Sequence, residues 1–345
     1  MRSAAEDVVH RKVMLADDLA MPITEALMDN WIDYEDSDQF MGNRTLRGIY
    51  QTGANLITDM RAVLNVSENF YVARPMMELA LMLSEDMPDE ELLPHDLPAM
   101  QGWMWYATPY RQIDVRRKIL HDHAIMWSAF GGQVRVFHFT DRTDLGDSVN
   151  QVLYGHHGED MMRQLPMLNL NHVFDMRFGE LLPRSITWDT PLPADAVVDA
   201  QRTENPDGSH TISWYTDKAI NLNEEPRQTR SPMAAFIVTL WRLCQQSLAS
   251  RLVEDPSRTA RRRMGKAHLP VSPITVISLR RVSGQEHGES HVEWQHRWMV
   301  RGHWRRQPYR ENGETVYRYI YINPYLKGPE DMPLLHRDKV NALVR

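Results

Sequence analysis

Near Gln101 the hydrophobic pattern changes period, and that change constrains the fold more than any other feature of the chain. Upstream, apolar residues recur at spacings of three and four. Leu46, Ile49, Tyr50, Leu56, Ile57, Met60, Val63 and Leu64 mark a helix from Arg44 to Asn65, with Asn43 as its cap. An acidic amphipathic helix is expected from Ala4 to about Asp29. Another is expected from Pro75 to Glu85, where Pro75 suits a first turn and Asp86 to Pro88 end the element. Downstream, Gly102 to Tyr106, Arg117 to Phe130 and Gln133 to Thr140 are short aromatic or β-branched runs separated by Pro, Asp and Gly, which is how strands read. Gly131 and Gly132 suit a two-residue hairpin between the last two runs.

Residues 141 to 183 carry no dominant period. Further strands are expected at Ser185 to Asp189 and, after the Asn205 to Gly208 turn, at His210 to Tyr215. Ser231 and Pro232 supply a cap and a first-turn proline for a helix running to about Val253. A polar stretch with Arg258, Arg261, Arg262, Arg263 and Lys266 reads as a linker, and beyond it Ile274 to Arg281, Glu293 to Trp304 and Val316 to Ile322 read as strands. Gln285 to Ser290 and Gln307 to Gly313 read as the turns between them. The expected class is α+β: a helical N-terminal part, a central antiparallel sheet with a covering helix, and a small C-terminal basic β module. Three parts follow: an acidic α+β body over 1–254, a basic linker over 255–273, and a basic, aromatic-rich β module over 274–345.

The charge distribution sharpens this division. Net charge is −7 over 345 residues, yet from Asp255 onward 17 Lys and Arg stand against 9 Asp and Glu, whereas the first 254 residues hold 22 against 37. Such asymmetry points to a polyanionic partner at the basic end, or to a basic module docked on its own acidic body. With a single cysteine, Cys244, neither an internal disulfide nor a thiolate zinc cage can form, so a reducing, cytoplasmic setting is expected. Glu6 and Asp7 stand where a secretory peptide would be basic and apolar. The most apolar helical stretch, Ala234 to Leu243, is too short to span a bilayer, so no membrane partner is expected.

The segment from His296 to Arg306 carries the most chemistry. On one continuous strand, His296, Trp298, Val300, Gly302 and Trp304 would face one way and Arg297, Met299, Arg301, His303 and Arg305 the other. The following run places Tyr317, Tyr319 and Tyr321 on one face and Val316, Arg318, Ile320 and Ile322 on the other. Stacking rings beside phosphate donors suit single-stranded nucleic acid. The same residues also build ordinary sheets. The leading expectation is therefore a nucleic-acid-binding accessory protein in which Arg297, Arg301, His303, Arg305 and Arg306 contact phosphate and Tyr317, Tyr319 or Tyr321 stack bases, RNA being the first substrate to test. The enzymatic alternative is metal-independent phosphodiester cleavage with His303 moving the proton and neighbouring arginines stabilising charge. A third reading is a protein-interaction patch formed by Trp103, Trp105 and Tyr106.

Other clusters carry less. His121 and His123 flank Asp122 without an assignable third ligand, and His156 and His157 with Glu159 and Asp160 read as a charged loop, so no metal is expected. No Walker loop, GxSxG elbow or GxGxxG fingerprint occurs, and no cofactor is expected. The arginine-rich linker reads either as an electrostatic tether for nucleic acid or as a solvated connection.

From Gly302 to Tyr309 the chain reads Gly-His-Trp-Arg-Arg-Gln-Pro-Tyr; Ile322 to Tyr325 reads Ile-Asn-Pro-Tyr; and Lys327 to Leu334 reads Lys-Gly-Pro-Glu-Asp-Met-Pro-Leu, with an Arg-Asp-Lys-Val stretch at Arg337 to Val340. In these motifs the chain resembles a group of uncharacterised proteins of actinobacteria, their mobile elements and their phages. Asp96 to Pro98 and Leu240 to Gln246 extend the resemblance over much of the chain. It implies a phage or mobile-element setting, with a toxin, defence or replication accessory role, and supplies no catalytic residue.

Overall fold

The computed structural model describes residues 4–35, 50–113, 119–142, 165–187, 198–204, 210–216, 227–280, 298–300, 302–311, 313–323 and 325–327. It divides into two compact units, Met1–Leu279 and Arg280–Arg345. The expected α+β class holds.

The larger unit is built on a seven-stranded sheet in the order β10-β11-β1-β2-β3-β4-β5. Its strands are β1 (Glu68–Val72), β2 (Gln101–Ile113), β3 (Ile119–Phe130), β4 (Gln133–Asp141), β5 (Leu168–Arg177), β10 (Ala249–Glu254) and β11 (Ile274–Leu279). Four further strands pair outside it: β6 (Arg184–Thr187) with β9 (Arg227–Arg230), and β7 (Val198–Glu204) with β8 (His210–Thr216). The sheet is mixed, because β1 runs parallel to both β2 and β11 while the other neighbours are antiparallel. β3 and β4 join as the two glycines predict: Phe130 pairs with Gln133, and Gly131 and Gly132 take φ of 56° and 82°, a region that only glycine enters without penalty.

Helices cover both faces. On one side α1 (Ala4–Asp18), α3 (Gly53–Val66) and α6 (Arg258–Lys266) close over Trp103, Trp105, Met126, Phe137, Phe139 and Ile274. α2 (Pro22–Glu35) packs on α3. On the other side lie α4 (Arg74–Ser84) and α5 (Pro232–Cys244). Phe236 of α5 stacks on Tyr110 at 4.5 Å between ring centroids, and Trp241 meets Trp127 at 5.2 Å. Because both faces are covered, β4 is buried almost throughout, its polar Arg135 and His138 as well as its apolar residues.

Several elements differ from expectation for identifiable reasons. α3 starts at Gly53, where Thr52 caps it by accepting from the Asn55 amide, rather than at Arg44; residues 43 to 49 lie outside the described residues. α5 stops at Cys244, not near Val253, because residues 249 to 254 form β10, whose ladder with β11 outweighs their helical spacing. The stretch read as a linker contains α6, which packs on α1 through buried Ala260 and Met264. β11, assigned by sequence to the C-terminal module, lies inside the large sheet, so the boundary falls at Leu279 and not between 254 and 274. Trp103, Trp105 and Tyr106 are buried, which removes the expected exposed aromatic patch.

Candidate nucleic-acid interface

The smaller unit contains β12 (Trp298–Val300) paired with β15 (Tyr325–Lys327), and a hairpin of β13 (His303–Glu311) and β14 (Glu314–Ile322). The expected single strand from Glu293 to Trp304 is thus divided, since β12 and β13 take different partners. β13 also runs through most of the stretch read as a turn, for Glu311 already pairs with Glu314.

Register decides which candidate residues meet. Directly opposed residues of an antiparallel pair share a face. Trp304 pairs with Tyr321, Arg306 with Tyr319, Pro308 with Tyr317 and Arg310 with Thr315, so these eight form one face. His303 pairs with Ile322, Arg305 with Ile320, Gln307 with Arg318 and Tyr309 with Val316, forming the other. The tyrosine ladder therefore lies with Arg306 and on the opposite side from His303 and Arg305, so the register divides the residues expected to form one site. Arg297 and Arg301 lie outside the described residues.

The tyrosine face grades from covered to open. Tyr321 is buried against Trp304, ring centroids 5.6 Å apart, while Arg306, Pro308, Arg310 and Tyr317 are exposed. The Arg306 guanidinium lies 4.3 Å from the centroid of the Tyr317 ring. A guanidinium at this distance over a ring is a cation–π contact formed before any ligand arrives. On the opposite face His303 and Arg305 are exposed beside half-buried Ile320 and Ile322, and Arg318 covers Tyr309 at 5.4 Å. A nucleotide stacked at Tyr317 cannot also receive a proton from His303, because the strand lies between them.

A second cationic region is α6, whose exposed side chains include Arg258, Arg261, Arg262, Arg263 and Lys266.

At one end of the large sheet a third cluster was discounted by sequence and proves extensive. His138 Nδ1 lies 3.1 Å from Asp122 Oδ2, and Asp122 Oδ1 accepts from Asn171 Nδ2 at 2.9 Å. Asn171 is the extra residue where the β4–β5 register shifts, and it also contacts Thr140 Oγ1. His123 Nδ1 accepts from the Asp141 amide at 3.1 Å, which requires that nitrogen to be unprotonated, and its ring stacks on Trp105. Arg11 spans to Asp141 at 2.7 Å. Burial pushes His121 down to about 3, helped by Arg111 and His123, and pushes His123 to about 4. Burial, then His138, lowers His172 to about 4. Among the described residues no group of three His, Cys, Asp or Glu could hold a metal ion, and no helix is long and apolar enough to cross a membrane. Its signal in the sequence was the recurrence of His and Asp in consecutive strands, visible only once their pairing is known.

Compared with protein-family models, curated proteins and solved structures, the chain matches none.

Proposed function

We propose that the chain binds nucleic acid through the Trp304, Arg306, Arg310, Tyr317 face of the C-terminal hairpin, as an accessory protein of a phage or mobile element. The observation that carries this reading is the Arg306 guanidinium lying 4.3 Å over the ring of an exposed Tyr317. Unpaired bases offer π-faces to Tyr317 and to the outer side of Arg306, and Arg310 is available for phosphate, so single strands are the preferred form. His303 and Arg305 face the other way and serve as secondary phosphate contacts.

The test is retention of end-labelled single-stranded RNA, single-stranded DNA and duplex DNA. Tyr317→Ala should weaken single-strand binding about 5- to 150-fold, the equivalent of about 1 to 3 kcal/mol per stacked base. Duplex binding should be less affected. Wild-type binding that Tyr317→Ala and Arg306→Ala leave unchanged would reject the hairpin as the binding face.

A further inference from the structure

The helix α6 is a built structure rather than a connection between domains. Ser257 caps its start, Oγ accepting from the Ala260 amide at 3.2 Å. Its end closes with paired bonds from the Leu269 amide to the Met264 carbonyl at 2.9 Å and from the His268 amide to the Gly265 carbonyl at 3.3 Å. This is a Schellman closure in which His268 takes the left-handed position with φ of 56°, and Leu269 and Met264 supply the buried apolar contact that accompanies it. Ala260 and Met264 fix the inner face in the core.

The outer face is cationic without relief. Arg258, Arg261, Arg262 and Lys266 recur at i, i+3, i+4 and i+8, which sets them along one side of the helix over about 12 Å, with Arg263 beside them. All five are exposed, and among the described residues none of their side chains has an ion pair or hydrogen bond. Like charges at these spacings destabilise an isolated helix, so the tertiary anchor and both caps hold together a stripe that its own electrostatics opposes. The exposed part of α6 is Arg, Lys, Thr and Gly with no large apolar side chain. An acidic protein partner needs an apolar core to its interface, whereas a phosphate backbone needs the guanidinium forks that α6 supplies.

We propose that α6 is a second binding element, which engages the sugar–phosphate backbone of nucleic acid independently of sequence. The inference rests on the nucleic-acid reading and adds a site in the large unit, distinct from the hairpin. Neutralising phosphates releases counterions, so log Kobs falls with log[salt] by about 0.7 per contact on single strands and about 0.9 on duplex.

The experiment measures binding of an oligouridylate of about 20 nucleotides, and of duplex DNA, between about 50 and 200 mM salt. Replacing Arg258, Arg261, Arg262 and Lys266 with Gln, a good helix former, should make the single-strand slope shallower by about 3. Replacing the three arginines with Lys should preserve the slope, because charge is kept. A Gln variant that retains the wild-type melting temperature and the wild-type slope overturns the α6 site while leaving the hairpin reading intact. The converse, a shallow slope in the Gln variant with Tyr317→Ala binding as wild type, would retain α6 and reject the hairpin. Wild-type protein that holds neither probe at low salt overturns both, and retention of an acidic polypeptide in preference to either probe overturns the phosphate assignment.

Discussion

Helices α5 and α6 both pack on the large sheet and both carry arginine, yet they treat its charge in opposite ways. Arg242 of α5 is enclosed: Nε and Nη2 reach the two carboxylate oxygens of Asp96 at 2.9 and 3.0 Å, and both partners are buried. Arg135 in the sheet is similar, with two bonds to Asp175 and one to the Tyr50 hydroxyl. Arg262 of α6 is exposed and has no such partner among the described residues. The contrast teaches that an arginine fixed by a bidentate carboxylate is committed to architecture, because its desolvation is already compensated, whereas a solvated one keeps its capacity for an external anion.

The largest expected effect attacks the enclosed side. Arg242→Ala leaves the Asp96 carboxylate buried without its partner and should destabilise the protein by about 3 to 5 kcal/mol in urea unfolding. A loss within the range of ordinary surface substitutions would mean that this pair is not sealed and that the comparison fails.

Acid is the next probe. His121, His123 and His172 bind protons more weakly folded than unfolded, so below pH 6.5 the unfolded chain takes up more protons. Stability should therefore fall as pH drops from 6.5 through about 4 to 3. Asp18, raised by burial to about 6, acts in the opposite sense over part of this range and only partly offsets three histidines. A urea midpoint that stays level from pH 6.5 to 4 would show that the histidine cluster is open to water in solution.

A smaller change sharpens the account of α6. His268 is the one described non-glycine residue with positive φ, so His268→Gly should stabilise by about 0.5 to 1 kcal/mol by relieving that strain, less the greater freedom glycine gives the unfolded chain. No gain in thermal unfolding would argue that the helix ends differently. The smallest effect is expected from Arg262→Ala, within about 0.5 kcal/mol of wild type in urea unfolding. A clear loss there would place Arg262 in a structural role and weaken its assignment to phosphate.

Much of the sheet was legible. β2, β3 and β4 announce themselves because aromatic and β-branched residues cluster between turn residues, and Gly131-Gly132 dictates its hairpin locally. β1 is five residues between two helices, and β10 follows α5 in helical phase, so neither carries enough local pattern to be seen. The alternation within β14 was legible as well. Which side of β13 would join its tyrosines was not, because a one-residue change of register exchanges the faces.

By itself the sequence determined the class of fold, the main helices, the central strands and the concentration of Arg, Tyr and Trp toward the C-terminus. These follow from local periodicity and composition. The tertiary structure alone decided that β11 belongs to the large sheet, that the arginine-rich stretch is a capped helix, and that His303 and Tyr317 point to opposite sides of one hairpin. It also gathered His121, Asp122, His123, His138 and Asn171 into a buried cluster. Each of these depends on pairing between residues far apart in the chain, and local periodicity carries no information about which distant partner closes the ladder or neutralises the charge.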